Sequence, residues 1–315
     1  MTRVYYHTDN AIAEAEDDKC FERIPFDKIF WVDLHHASEP EKNKVETLYE
    51  LNFNTLKSEN VLETNARIYE SDDIAFISAN FISVKENYFE SSPVYIYLVG
   101  SVLITEREAE LTSFDETIKK MKRNKKAFQN GSNVLEGILE TKVDVDSDFI
   151  EHIAKEIATI SRSLTLKNTI NKEEVILKIS EYQEATTLSR ESFIDKQRVV
   201  SALMKCSVFE NNERFKILVK DINAMLEYTS FIFVRLEYLQ NTVLGLINID
   251  QNQTTKIFTI VAVVFMPPTL IASIYGMNFK AIPELQWIYG YPFALTIIVA
   301  SSLLTLFLFK AKRWL

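Results

Sequence analysis

The chain has 315 residues, of which 47% are hydrophobic and 25% are charged, a composition typical of a foldable protein of about two domains. Its formal net charge of −9 argues against nucleic acid as a partner. The two cysteines, Cys20 and Cys206, are far apart and the four histidines show no metal-ligand spacing. This pattern argues against a disulfide framework and fits a reducing cytosol.

The first part of the chain, residues 1–130, is predicted to form a mixed α/β domain in the cytosol. Apolar runs predict strands at residues 3–7, 29–34, 67–70, 74–84 and 93–105. Gly100 predicts a turn or bulge inside the last of these runs. Residues 114–128 predict a helix whose basic face is either solvated or packed near anionic headgroups.

One helix start in this domain can be placed by its capping residues. Ser38 is the expected N-cap, Pro40 lies in the first turn, and Glu41 follows the cap by three residues. The domain contains no glycine-rich phosphate loop, no G-x-S-x-G and no H-E-x-x-H motif. We therefore expect neither an enzyme nor an organic cofactor.

The second part, residues 131–214, is predicted to form cytosolic helices. The pattern becomes purely helical from residue 144, where Asp146, Ser147 and Asp148 are expected to cap the helix start. One apolar face then consists of Ile150, Ile153, Ile157, Ile160 and Leu164. A break is predicted at residues 168–172, followed by a second helix over residues 175–207.

A single helix is predicted over residues 215–275, as a stalk that continues into a first membrane span at about residues 256–275. Its apolar residues alternate at steps of four and three, which is typical of a coiled-coil seam. This heptad stripe consists of Leu218, Ile222, Met225, Thr229, Ile232, Leu236, Leu239, Val243 and Leu246. A helix of that length, on the order of 90 Å, needs packing partners.

Two uncharged runs near the C-terminus predict a membrane hairpin. Residues 257–275 would extend roughly 29 Å as a helix, about the thickness of the hydrocarbon core. A loop at residues 276–290, a second span at residues 291–309 and a basic tail at residues 310–315 follow. Lys256 and the tail place both ends in the cytosol, which predicts a multi-pass protein of the cell (inner) membrane. Aromatic belts are expected at Trp287, Tyr289, Tyr291 and Trp314.

One face of the first span has the composition of a narrow pore, with small, hydroxyl and bulky apolar residues mixed. The face consists of Thr255, Phe258, Ala262, Met266, Thr269, Ser273 and Gly276. Two spans cannot enclose a pathway alone, so conduction requires an oligomer. The same face is equally suited to close helix packing through small residues. Pro267 and Pro268 free backbone carbonyls near mid-membrane, which favours a lumen.

The end of this span resembles the CorA family of magnesium channels. The family hallmark is Gly-Met-Asn at the outer end of the first span, here Gly276, Met277 and Asn278 with Tyr275 and Phe279 on either side. Further matches are Phe265-Met266-Pro267, Thr269, Ile274, Pro283-Glu284-Leu285, Trp287, Gly290-Tyr291-Pro292 and Trp314. The resemblance is close over residues 250–315 and is limited to layout before them.

The resemblance implies a CorA-like funnel, with an α/β cytosolic domain, a long-helix stalk and a two-helix transmembrane hairpin, assembled as a homopentamer in the lipid bilayer. It implies Mg²⁺ influx driven by the membrane potential, with Co²⁺ and Ni²⁺ as further divalent cations. Gly276, Met277 and Asn278 would form the selectivity filter, and Glu284 would concentrate cations at the entrance. Regulatory Mg²⁺ between cytosolic subunits would hold the channel closed. The candidate ligands are Asp221, Glu227, Glu237, Asp250, Asp72 and Asp73.

Three positions depart from the family pattern. Asn241 stands where an acidic stalk residue is expected, Lys280 replaces a frequent acid, and Pro268 adds a second proline. One alternative is a Zn²⁺ transporter of the same superfamily, although relatives of that kind usually vary the residue at Met277. A membrane-anchored coiled-coil scaffold without transport is the other, and it leaves the Gly-Met-Asn motif unexplained.

Overall fold

The computed structural model describes residues 1–9, 11–16, 20–62, 68–71, 74–85, 88–166, 171–206, 209, 212–278 and 282–312. The chain divides into two compact units, Met1–Gln240 and Asn241–Leu315. The finer division into six parts that the sequence suggests stays a prediction.

Strands of the first unit form one mixed sheet within the described residues. They are β1 (Thr2–His7), β2 (Ile12–Ala15), β3 (Ile29–His35), β4 (Ile68–Ser71), β5 (Ile74–Lys85), β6 (Tyr88–Val99) and β7 (Val102–Arg107). The strand order is β2-β1-β3-β7-β6-β5-β4. Only the β3–β7 pair is parallel among the described pairings, so β3 and β7 form the centre from which antiparallel ribbons extend.

The strand predictions are confirmed, with one division and one omission. The run at residues 93–105 belongs to two strands, β6 and β7, joined at Gly100, which has a φ of +55°. β2 was not predicted, because its sequence Ile-Ala-Glu-Ala has little β-branched or aromatic character. Its pairing with β1 is supported by a hydrogen bond from Tyr5 Oη to Glu14 at 3.2 Å. Arg67, the predicted start of β4, lies outside the described residues.

Four short helices belong to the same unit: α1 (Cys20–Arg23), α2 (Glu39–Tyr49), α3 (Phe53–Leu62) and α4 (Thr112–Arg123). The predicted start of α2 is confirmed, since Glu41 Oε2 accepts the Ser38 N–H at 2.7 Å. α4 ends at Arg123, five residues earlier than predicted, and residues Lys125–Ala127 form a separate 3-10 turn. On its basic face, Lys119, Lys120 and Lys122 each contact a carboxylate.

The first long helix, α5, covers Gly131–Leu166, so the predicted start at residue 144 is wrong. Asp146 does not cap this helix, because it lies four turns inside and is buried. The first turns of α5 contain two glycines that pack closely against neighbouring residues. A Cβ on Gly131 would lie 2.3 Å from Leu103 N, and one on Gly137 would lie 2.5 Å from the Phe128 ring. The predicted apolar face from Ile150 onward is buried, with Leu164 half-buried.

Two further helices follow, α6 (Lys172–Leu203) and α7 (Glu213–Tyr275). Asn171 caps α6 by accepting the Glu173 N–H at 3.1 Å, and the predicted break before it lies mainly outside the described residues. α6 runs antiparallel to the first part of α7. Gln183 donates to Gln240 at 3.3 Å, and Arg190 donates to the Leu226 carbonyl at 3.1 Å. Most of the heptad stripe is buried, as its period predicts, while Met225 and Leu246 are half-buried.

The second unit contains the end of α7, a 3-10 helix at Pro283–Gln286 and the helix α8 (Gly290–Ala311). α7 and α8 are by length and composition long and apolar enough to cross a membrane. Both predicted membrane spans therefore lie in helices with the length and apolar composition that a span needs.

Candidate functional site

The seven residues predicted to line a pore lie on one face of α7 and of the turn that follows it at Gly276, and all are exposed in the single chain. At about 100° of rotation per residue, they form a stripe about 80° wide. This 255–276 stripe consists of Thr255, Phe258, Ala262, Met266, Thr269, Ser273 and Gly276. Phe258 and Met266 expose 70% and 65% of their surfaces. Within the described part of the second unit, nothing covers this stripe.

The opposite face of α7 is half-buried. It consists of Ile260, Val263, Val264, Pro267, Pro268, Ile271 and Tyr275. α8 has a matching half-buried face, formed by Ala294, Ile297, Ile298, Ser301, Ser302, Thr305 and Phe309. The two helices of the hairpin therefore use one face each, and the 255–276 stripe points away from α8.

Two prolines lie inside α7 without ending it, at Pro267 and Pro268. Because proline has no N–H, the carbonyls of Val263 and Val264 receive no donor from these two positions. Nearby, the Thr269 hydroxyl donates to the Phe265 carbonyl at 2.7 Å. Its hydrogen is thereby used within the helix, so the oxygen presents acceptor lone pairs on the 255–276 stripe.

α7 ends directly before the Gly-Met-Asn motif. The Gly276 N–H still donates to the Ala272 carbonyl at 2.9 Å, and the Met277 N–H donates to the Ile274 carbonyl at 3.2 Å. A Cβ on Gly276 would lie 3.2 Å from the same Ala272 oxygen, so glycine suits this tight exit. Asn278 and Met277 are exposed. Phe279 and Lys280 lie outside the described residues.

The loop after the motif is tied to the start of α8. Glu284 is exposed in the 3-10 helix, and its carbonyl accepts the Trp287 N–H at 3.3 Å. The Gly290 N–H donates to the Trp287 carbonyl at 2.8 Å. The Trp287 ring contacts those of Tyr289 and Phe293 at centroid distances of 6.0 and 5.6 Å. In the sequence, Gly290 was noted only because it matches the family pattern. Its contact with the loop is visible only in the structure.

Charged and aromatic residues flank the apolar segments of α7 and α8. Lys256, Lys310 and Lys312 are exposed, as are Trp287, Tyr289 and Tyr291. These residues have the positions that interfacial side chains of a membrane hairpin occupy. Arg313 and Trp314 lie outside the described residues.

The four candidate regulatory ligands that the structure describes are not brought together within one chain. Asp221, Glu227, Glu237 and Asp250 are exposed along α7, as is Asn241, while Asp72 and Asp73 lie outside the described residues. Over the described ranges, no group of three or more His, Cys, Asp or Glu side chains is arranged to hold a metal ion. The regulatory role of these carboxylates stays a prediction.

Comparison with known proteins decides the family. The sequence profile of the CorA-like Mg²⁺ transporter protein matches residues 26–313. The chain belongs to this family. Among curated CorA-family relatives, the magnesium transport protein CorA of Wolinella succinogenes is 35% identical, with 91% of each chain covered. That of Campylobacter jejuni is 31% identical, with 100% of each chain covered.

A solved CorA structure confirms the predicted fold. The complete structure of the CorA magnesium transporter from Methanocaldococcus jannaschii has a TM-score of 0.81 to this chain, with 19% identity. The match covers 99% of this chain and 98% of that one. At this identity the likeness concerns the fold, namely an N-terminal α/β domain followed by long helices and a C-terminal apolar pair.

Proposed function

We propose that this CorA-family chain forms a homo-oligomeric channel for Mg²⁺, in which the 255–276 stripe lines the pore. The observation that carries the proposal is that stripe itself. It is a row of hydroxyl, small and bulky apolar residues on the apolar part of α7, which is long enough to cross a membrane, and α8 leaves it uncovered. In lipid, such a face is satisfied by a water-filled lumen or by neighbouring helices.

The rest of the pore wall is formed by further copies of the chain. The family resemblance implies five copies, and α7 offers a further surface for contact between them. Beside the buried heptad stripe, α7 exposes Phe231, Val234 and Tyr238 at spacings of three and four, with 55%, 61% and 71% of their surfaces accessible. Large apolar side chains exposed at helical spacing are typical of an interface. A second copy of α7 fits this face.

Asn278 is the proposed selectivity residue. Mg²⁺ is small, prefers octahedral oxygen coordination and gives up its water reluctantly. A ring of Asn278 amide oxygens accepts hydrogen bonds from the hydration shell, so the ion passes the mouth with its water. Carbonyl groups at Gly276 join this ring, because glycine permits close backbone approach. Met277 completes the filter, with Tyr275 and Phe279 as its proposed supports.

Below the mouth, the stripe has a polar part, an apolar part and a polar inner end. Thr269 presents a hydroxyl oxygen whose hydrogen is already bonded to Phe265, and this acceptor suits water bound to a cation. Met266 and Phe258 form apolar constrictions that close by losing water. Thr255, Ala262 and Ser273 fill the remaining positions, where small side chains leave room for a hydrated ion.

The capture of cations at the mouth and the force that drives them inward both depend on electrostatic charge. Glu284 is the sole acidic residue in the sequence between the two spans and lies exposed in the loop. Repeated around an oligomer, this carboxylate raises the local cation concentration. With both termini cytosolic in the cell (inner) membrane, a divalent ion gains about 4.6 kcal/mol per 100 mV of inside-negative potential. Co²⁺ and Ni²⁺ carry the same charge and are further proposed substrates.

Feedback by cytosolic Mg²⁺ is the proposed gate. Mg²⁺ bridging carboxylates of neighbouring copies stabilises the assembly in which it binds, and its loss favours the other conformation. Asp221, Glu227, Glu237 and Asp250 are proposed as ligands because they are exposed on the helix that presents the self-association face. Asp72 and Asp73 are proposed as their counterparts.

The test is Mg²⁺ uptake into proteoliposomes under an inside-negative potential, with a Mg²⁺-sensitive dye inside. The unmodified chain is expected to give influx that Asn278→Ala abolishes. Asn54→Ala, at an exposed asparagine of α3, is the matched control and should keep full flux. No Mg²⁺ flux from folded, oligomeric protein would overturn the proposal. Zn²⁺ flux in its place would favour the zinc transporter, and flux of neither ion would favour the scaffold.

A further inference from the structure

Gly290 is the one buried residue among the described positions of α8, and it touches the backbone of the entrance loop. A Cβ added at Gly290 would lie 2.1 Å from the carbonyl oxygen of Glu284 and 3.2 Å from its carbon. Atoms that are not bonded do not approach so closely. Glycine is therefore required for the loop to lie where it does.

Two hydrogen bonds and one aromatic contact hold the same junction. Trp287 accepts the Gly290 N–H at 2.8 Å through its carbonyl, and its own N–H donates to the Glu284 carbonyl at 3.3 Å. Its ring packs edge-on against Phe293, one turn into α8, at 5.6 Å. The backbone of Glu284 is thus anchored to the first turn of the second apolar helix, while its side chain remains exposed.

We propose that Gly290, with Trp287, is a positioning residue that fixes the Glu284 carboxylate relative to α8. The inference rests on the proposed function, in which Glu284 captures cations at the mouth. It adds a specific reason for glycine at this point of the chain. Neither Gly290 nor Trp287 touches the ion, and both act through the place that they give to Glu284.

Substitution by alanine forces a defined change. The atom that the new methyl group would meet is a backbone oxygen, so no side-chain rotation relieves the contact. The 3-10 helix must move by about 1 Å or more to reach an ordinary contact distance. The carboxylates then lie at a different distance from the mouth, while α7 and the 255–276 stripe are unchanged.

The experiment measures Mg²⁺ flux against external Mg²⁺ concentration in proteoliposomes, per assembled oligomer. Glu284→Gln is expected to raise the half-saturating concentration about tenfold at low ionic strength. Gly290→Ala should raise it about threefold without lowering the maximal flux, because the carboxylate is displaced and not removed. Trp287→Leu, which removes the ring contact and keeps the backbone bonds, should shift it in the same direction. Gly245→Ala, at a glycine with open space around it, is the matched control and should change neither value.

Two further measurements distinguish a positioning role of Gly290 from a purely structural one. Gly290→Ala in a Glu284→Gln background should have no additional effect on half-saturation, since the charge to be positioned is gone. Monovalent salt at about 1 M should shrink the effect of both single variants, because the Debye length falls to about 3 Å.

An unchanged half-saturating concentration in Gly290→Ala would overturn the inference, as would a shift that adds fully to that of Glu284→Gln. Failure of Gly290→Ala to assemble, or loss of its maximal flux alone, would also contradict it, because either result marks a structural role. If Glu284→Gln behaves as expected and Gly290→Ala does not, the inference fails while the proposed function stands. Absence of flux in the unmodified chain would remove both.

Discussion

The carboxylate of Asp195 on α6 accepts a hydrogen bond from the backbone N–H of Asn80 on β5, at 2.8 Å between N and Oδ2. Lys196 Nζ donates to the carbonyl of the same Asn80 at 3.1 Å, and Lys142 Nζ donates to the Ile82 carbonyl at 3.0 Å. In the described part of the chain, β4 pairs with residues 74–77 of β5. Beyond that point, side chains of α5 and α6 take the hydrogen-bonding role of a further strand and attach the helices to the sheet.

Asp195→Ala should destabilise the protein, because it removes the acceptor of the Asn80 N–H from a partly buried hydrogen bond. The expected loss is about 1–3 kcal/mol. The measurement is the thermal unfolding midpoint of the detergent-solubilised chain. Glu191→Ala, at an exposed carboxylate one turn earlier on α6, should leave the midpoint unchanged. Equal midpoints for the two variants would show that the bond to Asn80 contributes nothing.

Lys196 should make the free energy of unfolding depend on pH in the alkaline range. Its ammonium is fully buried, and burial lowers the pKa to about 8, although Asp146 at 3.7 Å opposes the shift. Between pH 8 and 10.5, the value of an ordinary lysine, the unfolded chain binds more protons than the folded one. The contribution of Lys196 to stability therefore rises with pH across this window.

Lys196→Met should remove this rise, which unfolding midpoints measured from about pH 7.5 to 10.5 would detect. Lys178→Met, at a half-exposed lysine of α6, is the control and should keep it. The same pH profile in both variants would contradict the assignment to Lys196.

Val234→Glu should weaken self-association. It places a charge in the exposed apolar row formed with Phe231 and Tyr238, where a second copy of α7 is proposed to pack. Light scattering after size exclusion should show smaller assemblies with unchanged helix content. Lys155→Glu, which adds a negative charge at an exposed site on α5, should keep the native assembly. Native-sized assemblies from Val234→Glu would place the interface elsewhere.

Removal of Mg²⁺ should expose the cytosolic part of the assembly to protease. Bridging Mg²⁺ stabilises the state that it binds, so millimolar Mg²⁺ should slow limited proteolysis relative to chelator. NaCl at equal ionic strength controls for screening. Replacing Asp221, Glu227, Glu237 and Asp250 by amides, one at a time, should identify which carboxylates carry the protection. Cleavage at the same rate with and without Mg²⁺ would argue against a Mg²⁺-bound closed state.

Features set by neighbouring residues could be predicted from the sequence. The N-terminal cap of α2 depends only on Ser38, Pro40 and Glu41, which are neighbours in the sequence. The heptad stripe is likewise visible as a regular spacing of apolar residues along α7. The apolar segments and the Gly-Met-Asn motif could be recognised because each consists of residues that are consecutive in the sequence. These signals, with the family resemblance, were enough to identify the fold.

Features that depend on distant contacts were missed. The start of α5 was missed because it involves close packing of Gly131 against Leu103 and of Gly137 against Phe128. Asp146 looked like a capping acid, but it is buried with Lys142 and Lys196. At the candidate site, the contact between Gly290 and Glu284 depends on how the loop folds back, which no spacing along the sequence reveals.

The central claim is that the 255–276 stripe of α7 faces an aqueous pore, and the reactivity of cysteines placed along α7 tests it most directly. Thr269→Cys lies on the stripe, and Leu270→Cys, one residue on and about 100° around the helix, is an exposed apolar position off it. The native Cys20 and Cys206 are buried, so the unmodified chain controls for background reaction with a charged thiol reagent. We predict that the reagent blocks Mg²⁺ flux through Thr269→Cys and leaves flux through Leu270→Cys intact. Equal block of both variants, or of neither while both conduct, would contradict the pore assignment.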